Sequence, residues 1–76
     1  MAEIKWEIKK ELGSIGEGKW KKEVNIISWN DKPAKIDIRS WDAEHKKMSK
    51  GITFSRDEAK KLKELFNSLD LDTLEM

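Results

Sequence analysis

Trp29 and Trp41 lie at strand positions that they share with cationic side chains. Over residues 34–41, Lys35, Arg39 and Trp41 alternate with apolar residues, as in a strand with one apolar and one polar face. Indole rings stack on unpaired bases, at about 1–3 kcal/mol per base, and cations attract the phosphates. This spacing predicts a surface that binds a single nucleic-acid strand.

Each of these side chains also has a purely structural alternative. Trp29 and Trp41 are also compatible with a cross-strand aromatic pair that only stabilises the sheet. The guanidinium of Arg39 is suited either to a phosphate or base, or to a salt bridge with Asp37 or Glu23. These alternatives remain open at the level of sequence.

Further lysines extend the candidate binding surface. Residues 19–50 carry nine basic and five acidic groups, a net of +4, whereas the whole chain has a net charge of only +1. The positive excess therefore lies on the middle segment, although a solvated charge run is the common explanation for such clusters. The candidate nucleic-acid-binding residues are Trp29, Lys35, Arg39, Trp41, Lys50, Lys21, Lys19 and Lys47.

Catalytic, metal and cofactor chemistry are not expected. His45 is the single histidine, and a metal site would need carboxylates alone to complete it. Ser40, Asp42 and His45 have the residue types of a hydrolytic triad, but they crowd around one loop without a glycine-rich oxyanion segment. We expect a non-enzymatic protein that has no cofactor, acts on no small-molecule substrate and does not associate with a membrane.

The elements that would position the site are four antiparallel strands followed by one helix, an α+β fold of β-β-β-β-α order. A glycine-dense bend separates the first two strands, and Asn30 to Pro33 has the residue chemistry of a turn. Ser55 and Glu58 form a capping box at the helix start. The expected strands cover residues 3–15, 19–29, 34–41 and 51–54.

The same patterns assign a core. Trp6 and Trp20 lie on the apolar parity of their strands and are expected to be buried. The helix has an apolar stripe and is expected to pack on the parity of Ile36 and Ile38. The opposite sheet face, with Trp29 and Trp41, is then expected to stay open and to form a binding surface.

Length limits the chain to a single domain, residues 1–76, with a core at about 3–69 and a tail at 70–76. The 76 residues include no cysteine, so neither disulfides nor thiolate zinc sites stabilise so small a core, and self-association is the remaining common route. No apolar run reaches the length of a membrane span, and the N-terminus lacks an apolar signal segment. We expect a soluble cytoplasmic, nucleoid-associated protein.

The chain resembles the transcriptional coactivator p15 / positive cofactor four family, and most closely its YdbC-like prokaryotic branch. The resemblance covers about residues 19–69 and is carried by KIDIR (35–39), Trp41, Met48, KGITFS (50–55) and the helical KLKEL (61–65). The N-terminal strand is typical of the YdbC-like branch rather than of the eukaryotic coactivators.

This resemblance implies a twofold dimer that forms through the helix and neighbouring strands. It further implies single-stranded DNA binding across the open sheet with little sequence preference, in replication, repair or transcription. By position it assigns DNA contacts to Trp29, Arg39, Trp41 and Lys50. RNA binding, or a protein-interaction module that uses the same tryptophan face, remains an alternative.

Two departures from the eukaryotic family pattern affect this assignment. Only Ser40 lies between Arg39 and Trp41, and the loop before Gly51 is shortened to Met48, Ser49 and Lys50. The acidic and serine-rich regulatory arm of the coactivators is also absent from the sequence. The resemblance therefore implies the fold of the family more directly than it implies a transcriptional role.

Overall fold

The computed structural model describes residues 4–76, so Glu3 of the expected first strand and core lies outside the described residues. Four strands form one antiparallel sheet in the order β1-β2-β3-β4, and a single helix follows. This confirms the predicted β-β-β-β-α order. The elements are β1 (Trp6–Ser14), β2 (Lys21–Trp29), β3 (Lys35–Trp41), β4 (Ile52–Phe54) and α1 (Arg56–Asn67).

Strand β1 is more exposed than its alternating pattern predicts. Its register against β2 shifts twice, between Ile8 and Lys10 and between Glu11 and Gly13. Each such irregularity adds a residue, bends the strand and interrupts the alternation of side chains. Leu12, which the period-two pattern places on the apolar face with Ile8, is consequently 46% exposed.

The turn between β2 and β3 forms where its residue chemistry predicts. Asn30 and Asp31 both adopt left-handed backbone conformations, with φ of 50° and 62°. Lys32 N–H donates to the Trp29 carbonyl at 2.9 Å, which closes a tight two-residue turn of the kind that suits twisted hairpins. The Asn30 side chain accepts a hydrogen bond from the backbone N–H of Lys5 and so ties the start of β1 to this turn.

Helix α1 begins at the predicted capping box. The Glu58 backbone N–H donates to the Ser55 hydroxyl, and the Ser55 backbone N–H donates to the Glu58 carboxylate. The helix ends at Asn67, with Ser68 as its C-terminal cap. It is too short and too polar to cross a membrane, and residues 4–76 hold no other helix.

The sheet has two faces, which we name by what they carry. The tryptophan face holds Asn25, Ile27 and Trp29 of β2 with Asp37, Arg39 and Trp41 of β3, and the register pairs Asn25 with Asp37. The helix face holds Val24 and Ile26 of β2 with Ile36 and Ile38 of β3, and α1 lies beside it. The predicted division of side chains between the faces is therefore confirmed.

The distribution of burial between these faces is the reverse of the prediction. Asn25, Ile27, Asp37 and Trp41 are all 0–1% exposed, and all four lie on the tryptophan face that was expected to be open. On the helix face, Ile36 and Ile38 are only partly buried, and no residue of α1 is buried. In the single chain the core therefore lies under the tryptophans.

Strong curvature explains this reversal. Trp6 pairs with Trp29 and Trp41 pairs with Lys21, so the two register positions are separated by the whole of β2, from Lys21 to Trp29. In a flat sheet that separation is about 26 Å at ~3.3 Å per residue. The indole centroids of Trp6 and Trp41 are 5.9 Å apart. The sheet must therefore coil until opposite corners of its tryptophan face meet.

Trp20 does not belong to this core. It precedes β2, in the bend that follows Gly18, and it is 51% exposed. The prediction that Trp20 is buried in the single chain is wrong. Strand β2 begins at Lys21, directly after Trp20, so the alternation of side chains in the strand does not include Trp20. Trp6 is partly buried, and it packs against Trp29 and Trp41.

Candidate nucleic-acid interface

Trp41 is covered from two sides. Its ring lies 5.9 Å from that of Trp6 and 5.5 Å from that of His45, and the residue is 0% exposed. An indole buried in this way has no free face for a base. The expectation that Trp41 lies exposed on an open sheet is therefore wrong, and its position supports the surface instead of forming it.

Trp29 is the more accessible of the two predicted tryptophans. It is partly buried, with its ring 6.3 Å from Trp6. The guanidinium carbon of Arg39 lies 4.4 Å from the ring centroid, a distance typical of a cation–π contact. The structure thus brings Trp29 and Arg39 together, and one ring face is already occupied by the cation.

Arg39 is committed to a buried carboxylate. Its Nε donates to Asp37 Oδ1 at 2.7 Å and its Nη2 donates to Asp37 Oδ2 at 2.6 Å, a two-pronged pair. Nη1 lies 3.5 Å from the sulfur of Met48. Because Asp37 is fully buried, Arg39 neutralises a charge that would otherwise be costly. The structural alternative for Arg39, a salt bridge to Asp37, is the one that the structure contains.

Gly51 allows the loop before β4 to approach Arg39. A Cβ atom placed at Gly51 would lie 2.5 Å from the Ile38 carbonyl oxygen and closer still to Arg39 Cβ. Real Cβ atoms do not approach backbone oxygens so closely, so any larger residue would push Lys50 and the loop away from β3. The glycine of the KGI motif therefore allows the chain that follows Lys50 to pass close to Arg39.

The candidate lysines are exposed and uncommitted. None of the five forms a salt bridge with another residue of the described range 4–76, and every one is exposed. Exposed ammonium groups without a carboxylate partner are available to phosphates. They are Lys19 and Lys21 at the start of β2, Lys35 at the start of β3, Lys47 in the loop after β3, and Lys50 before β4.

Lys35 lies at the boundary between the two faces. It pairs with Ile27 of the tryptophan face, yet it also lines the groove between the sheet and α1. Its charge helps to lower the pKa of Glu58, a shift caused mainly by the backbone hydrogen bond from Ser55. Lys35 therefore does not mark the tryptophan face as cleanly as strand alternation predicts.

The loop after β3 is fixed by two carboxylates. Asp42 Oδ1 accepts hydrogen bonds from the backbone N–H groups of Lys46 and Lys47 at 2.8 and 3.1 Å. The bond from Lys47 is the main reason why the pKa of the Asp42 carboxyl is lowered. His45 Nε2 lies 2.8 and 3.0 Å from the two oxygens of Glu23. These bonds hold the His45 ring against Trp41.

Burial raises the pKa of the Glu23 carboxyl, but other groups outweigh that effect. Hydrogen bonds from His45 and Asn25, with the nearby charge of Lys21, lower the pKa below its ordinary value of 4.5. Glu23 is therefore an ionised acceptor near neutral pH. No local pattern indicates the pair of His45 and Glu23, because 22 residues separate the two.

Three buried polar atoms of this face lack a hydrogen-bond partner within residues 4–76: Asn25 Oδ1, Trp29 Nε1 and Trp41 Nε1. Buried groups without partners are uncommon in folded proteins, and each costs about 1–3 kcal/mol. The described residues contain no group of three or more side chains that could hold a metal ion. The two indole N–H groups are donors that an oxygen atom would satisfy, and the amide oxygen is an acceptor that an N–H or O–H group would satisfy.

Comparison with known proteins connects this arrangement to a family. The model of the Transcriptional Coactivator p15 (PC4) family matches residues 17–65, which is more than half of the chain and spans β2, β3, β4 and most of α1. A Treponema pallidum (strain Nichols) protein described as uncharacterized is 46% identical over 61 residues, which are 80% of this chain and 71% of that protein. The chain belongs to the transcriptional coactivator p15 family.

Proposed function

We propose that the protein is a homodimer that binds single-stranded DNA, largely without sequence preference, on and around the tryptophan face. The proposed setting is nucleoid DNA in the cytoplasm, in replication, repair or transcription. We further propose that the chain belongs to the YdbC-like branch, because β1 precedes the family-matched segment as in that branch. No catalytic step is part of the proposal.

The observation that carries the proposal is the set of exposed, unpaired lysines on the strands and loops that form the curved sheet. Lys21 pairs with Trp41 across the sheet, and Lys50 directly precedes Gly51, whose backbone closely approaches Arg39. Lys47 lies on the same loop as His45. A curved surface with exposed cations can bind the flexible, negatively charged backbone of single-stranded DNA. Membership of a nucleic-acid-binding family supports the same ligand.

The tryptophans are proposed to have unequal roles. Trp29 is the candidate stacking platform, because it is only partly buried and Arg39 orients its ring. Trp41 and Trp6 form the support beneath it. Arg39 acts through Trp29 and Asp37, so we propose a positioning role for its guanidinium in place of a direct phosphate contact.

The homodimer proposal rests on surface that the single chain leaves uncovered. The accessible surface is 6665 Å², whereas a compact monomer of 8.9 kDa has about 4,800 Å². Part of the excess is the apolar side of α1 and its continuation, where Leu65, Phe66 and Leu69 are 62%, 53% and 44% exposed. A second copy packed against the helix face would cover these side chains and complete the core.

The test is a titration of tryptophan fluorescence with oligo-dT, repeated at several salt concentrations. Binding should quench the fluorescence of Trp29, and affinity should fall as salt rises, with a slope of about −0.7 per phosphate contact. A duplex of equal length and an oligo-U strand serve as comparisons. Tighter binding of the duplex than of oligo-dT would contradict the proposal, and tighter binding of oligo-U would redirect it to RNA.

A further inference from the structure

A small polar pocket opens at the end of the tryptophan face that lies farthest from Trp29. It has a volume of about 260 Å³, slightly below the range of pockets that hold drug-sized ligands, and is suited to a single ring system. The second irregularity of β1, the start of β2 and the loop after β3 form its walls. Its side chains are Glu11, Ser14, Lys21, Glu23, Asn25 and His45.

The floor of this polar pocket contains an unsatisfied acceptor. Asn25 is 1% exposed, and its Nδ2 donates to Glu23 Oε1 at 3.2 Å. A carboxylate only accepts hydrogen bonds, so this contact fixes the orientation of the amide and assigns the other end to oxygen. That oxygen, Asn25 Oδ1, has no donor within residues 4–76. A ligand N–H would supply one.

The rest of the pocket is also rich in acceptors. The Glu23 side chain is 12% exposed and ionised, and Glu11 adds a second carboxylate. Lys21 is the one cationic chain end on the wall. His45, which closes one side, lies on the buried ring of Trp41. The pocket thus offers several acceptors, one strong donor and an aromatic neighbour.

Among the DNA bases, guanine matches this set best. Its N1–H and exocyclic N2 amino group are adjacent donors that a carboxylate and an amide oxygen can accept, and its O6 and N7 are acceptors for a lysine. Thymine has one ring N–H between two carbonyl oxygens, which would face the carboxylates. Adenine and cytosine each have an amino group but lack the second adjacent donor.

We propose that this pocket binds one guanine base of a DNA strand that lies on the tryptophan face. The inference rests on the proposed function and adds to it, because a strand held mainly through its phosphates would then be positioned by one preferred base. Each guanine in a strand would compete for the pocket of a protomer.

The experiment compares 12-nucleotide oligo-dT with the same strand carrying a single central guanine, adenine, cytosine or hypoxanthine. Good two-point base contacts contribute about 1–3 kcal/mol, so the guanine strand should bind about tenfold more tightly than oligo-dT. Hypoxanthine lacks the N2 amino group and should bind with intermediate affinity. Adenine and cytosine should give less than a threefold gain.

Substitutions in the pocket test whether the preference for the guanine strand arises there. Glu23→Gln and Glu11→Gln should each reduce the ratio of guanine-strand to oligo-dT affinity toward one, and the exposed Glu11 keeps the test valid if Glu23→Gln fails to fold. Glu17→Gln removes the same charge in the β1–β2 loop outside the pocket and should leave the ratio unchanged. Using a ratio cancels the general gain in affinity that follows loss of an acidic group.

The outcomes separate the two proposals. If oligo-dT binds and the guanine strand binds no better, the pocket proposal is overturned while single-stranded DNA binding stands. If no strand binds at low salt, the proposed function is overturned, and the pocket proposal with it. A guanine preference that survives both Glu23→Gln and Glu11→Gln places the recognition elsewhere and also overturns the pocket.

Discussion

Trp6 and Trp41 occupy opposite corners of the sheet, yet their indole rings are 5.9 Å apart. The contact joins β1 to β3 across the whole length of β2, and together with His45 it leaves Trp41 fully buried. The same curvature places the core of the single chain on the face that also carries the candidate nucleic-acid contacts. Stability and ligand binding are therefore linked at this face.

Replacement of Trp41 should affect folding more than binding. Trp41→Ala should lower the free energy of unfolding by about 3–5 kcal/mol, because it removes a fully buried ring between Trp6 and His45. Urea denaturation measures this loss. Trp20→Ala, at a position 51% exposed, is the control and should cost far less. Equal losses for the two variants would contradict the assignment of the core.

The close approach of Gly51 to Arg39 can be tested by substitution to alanine, with Gly13 as the control position. Gly51→Ala should destabilise the protein by about 1–3 kcal/mol, because its Cβ would collide with the Ile38 carbonyl and with Arg39. Gly13→Ala places a methyl group where no atom lies within 4 Å, and it should be nearly neutral. Thermal unfolding of both variants provides the comparison, and a neutral Gly51→Ala would refute the steric argument.

Arg39 and Lys21 should differ in their effect on the salt dependence of DNA binding. Lys21→Ala removes an exposed, unpaired cation, so the slope of log affinity against log salt should fall in magnitude by about 0.7. Arg39→Lys keeps the charge but loses one of two hydrogen bonds to Asp37, so it should reduce stability with little change in slope. A larger slope change for Arg39→Lys would indicate a direct phosphate contact.

The ionised state of Glu23 should make stability depend on pH in acid. Because the folded-state pKa of Glu23 is below its ordinary value of 4.5, the unfolded chain binds the proton more readily. The stabilisation is present above 4.5 and is lost as pH falls through the folded-state pKa. The difference in unfolding free energy between wild type and Glu23→Gln should therefore shrink below pH 4.5. Asp42 and Glu58 titrate in both proteins, so the difference isolates Glu23.

The proposed homodimer predicts a sensitive site on the helix. Leu65→Glu introduces a charge at an apolar side chain that is 62% exposed in the single chain, and it should shift the protein to a monomer in sedimentation equilibrium. Asn67→Glu adds the same charge two residues further along and should leave the dimer intact. A monomeric wild type, or dissociation by both variants alike, would contradict the proposed helix-face contact.

Local signals in the sequence were sufficient to predict the order of elements. Period-two alternation in β2 and β3, the Asn30–Asp31 turn and the Ser55–Glu58 capping box each depend on residues close in the chain, and the structure contains all of them. The assignment of Ile36 and Ile38 to the face opposite Trp41 followed from the same alternation.

Which face is buried was not predictable in the same way. It depends on how far the sheet coils, and that depends on the two register shifts of β1, for which Lys10 was the only visible sign. The contact between Trp6 and Trp41 joins residues 35 positions apart, and the contact between His45 and Glu23 joins residues 22 apart. Such pairs appear only once the curvature is known.

The segment matched by the family begins at residue 17, after β1 has ended at Ser14. Yet the ring that covers Trp41 comes from Trp6, within β1. The core of the single chain therefore extends beyond the segment that the family model matches. A fragment cut to residues 17–65 would expose Trp41 to water and lose the contact that holds the sheet in its coiled form.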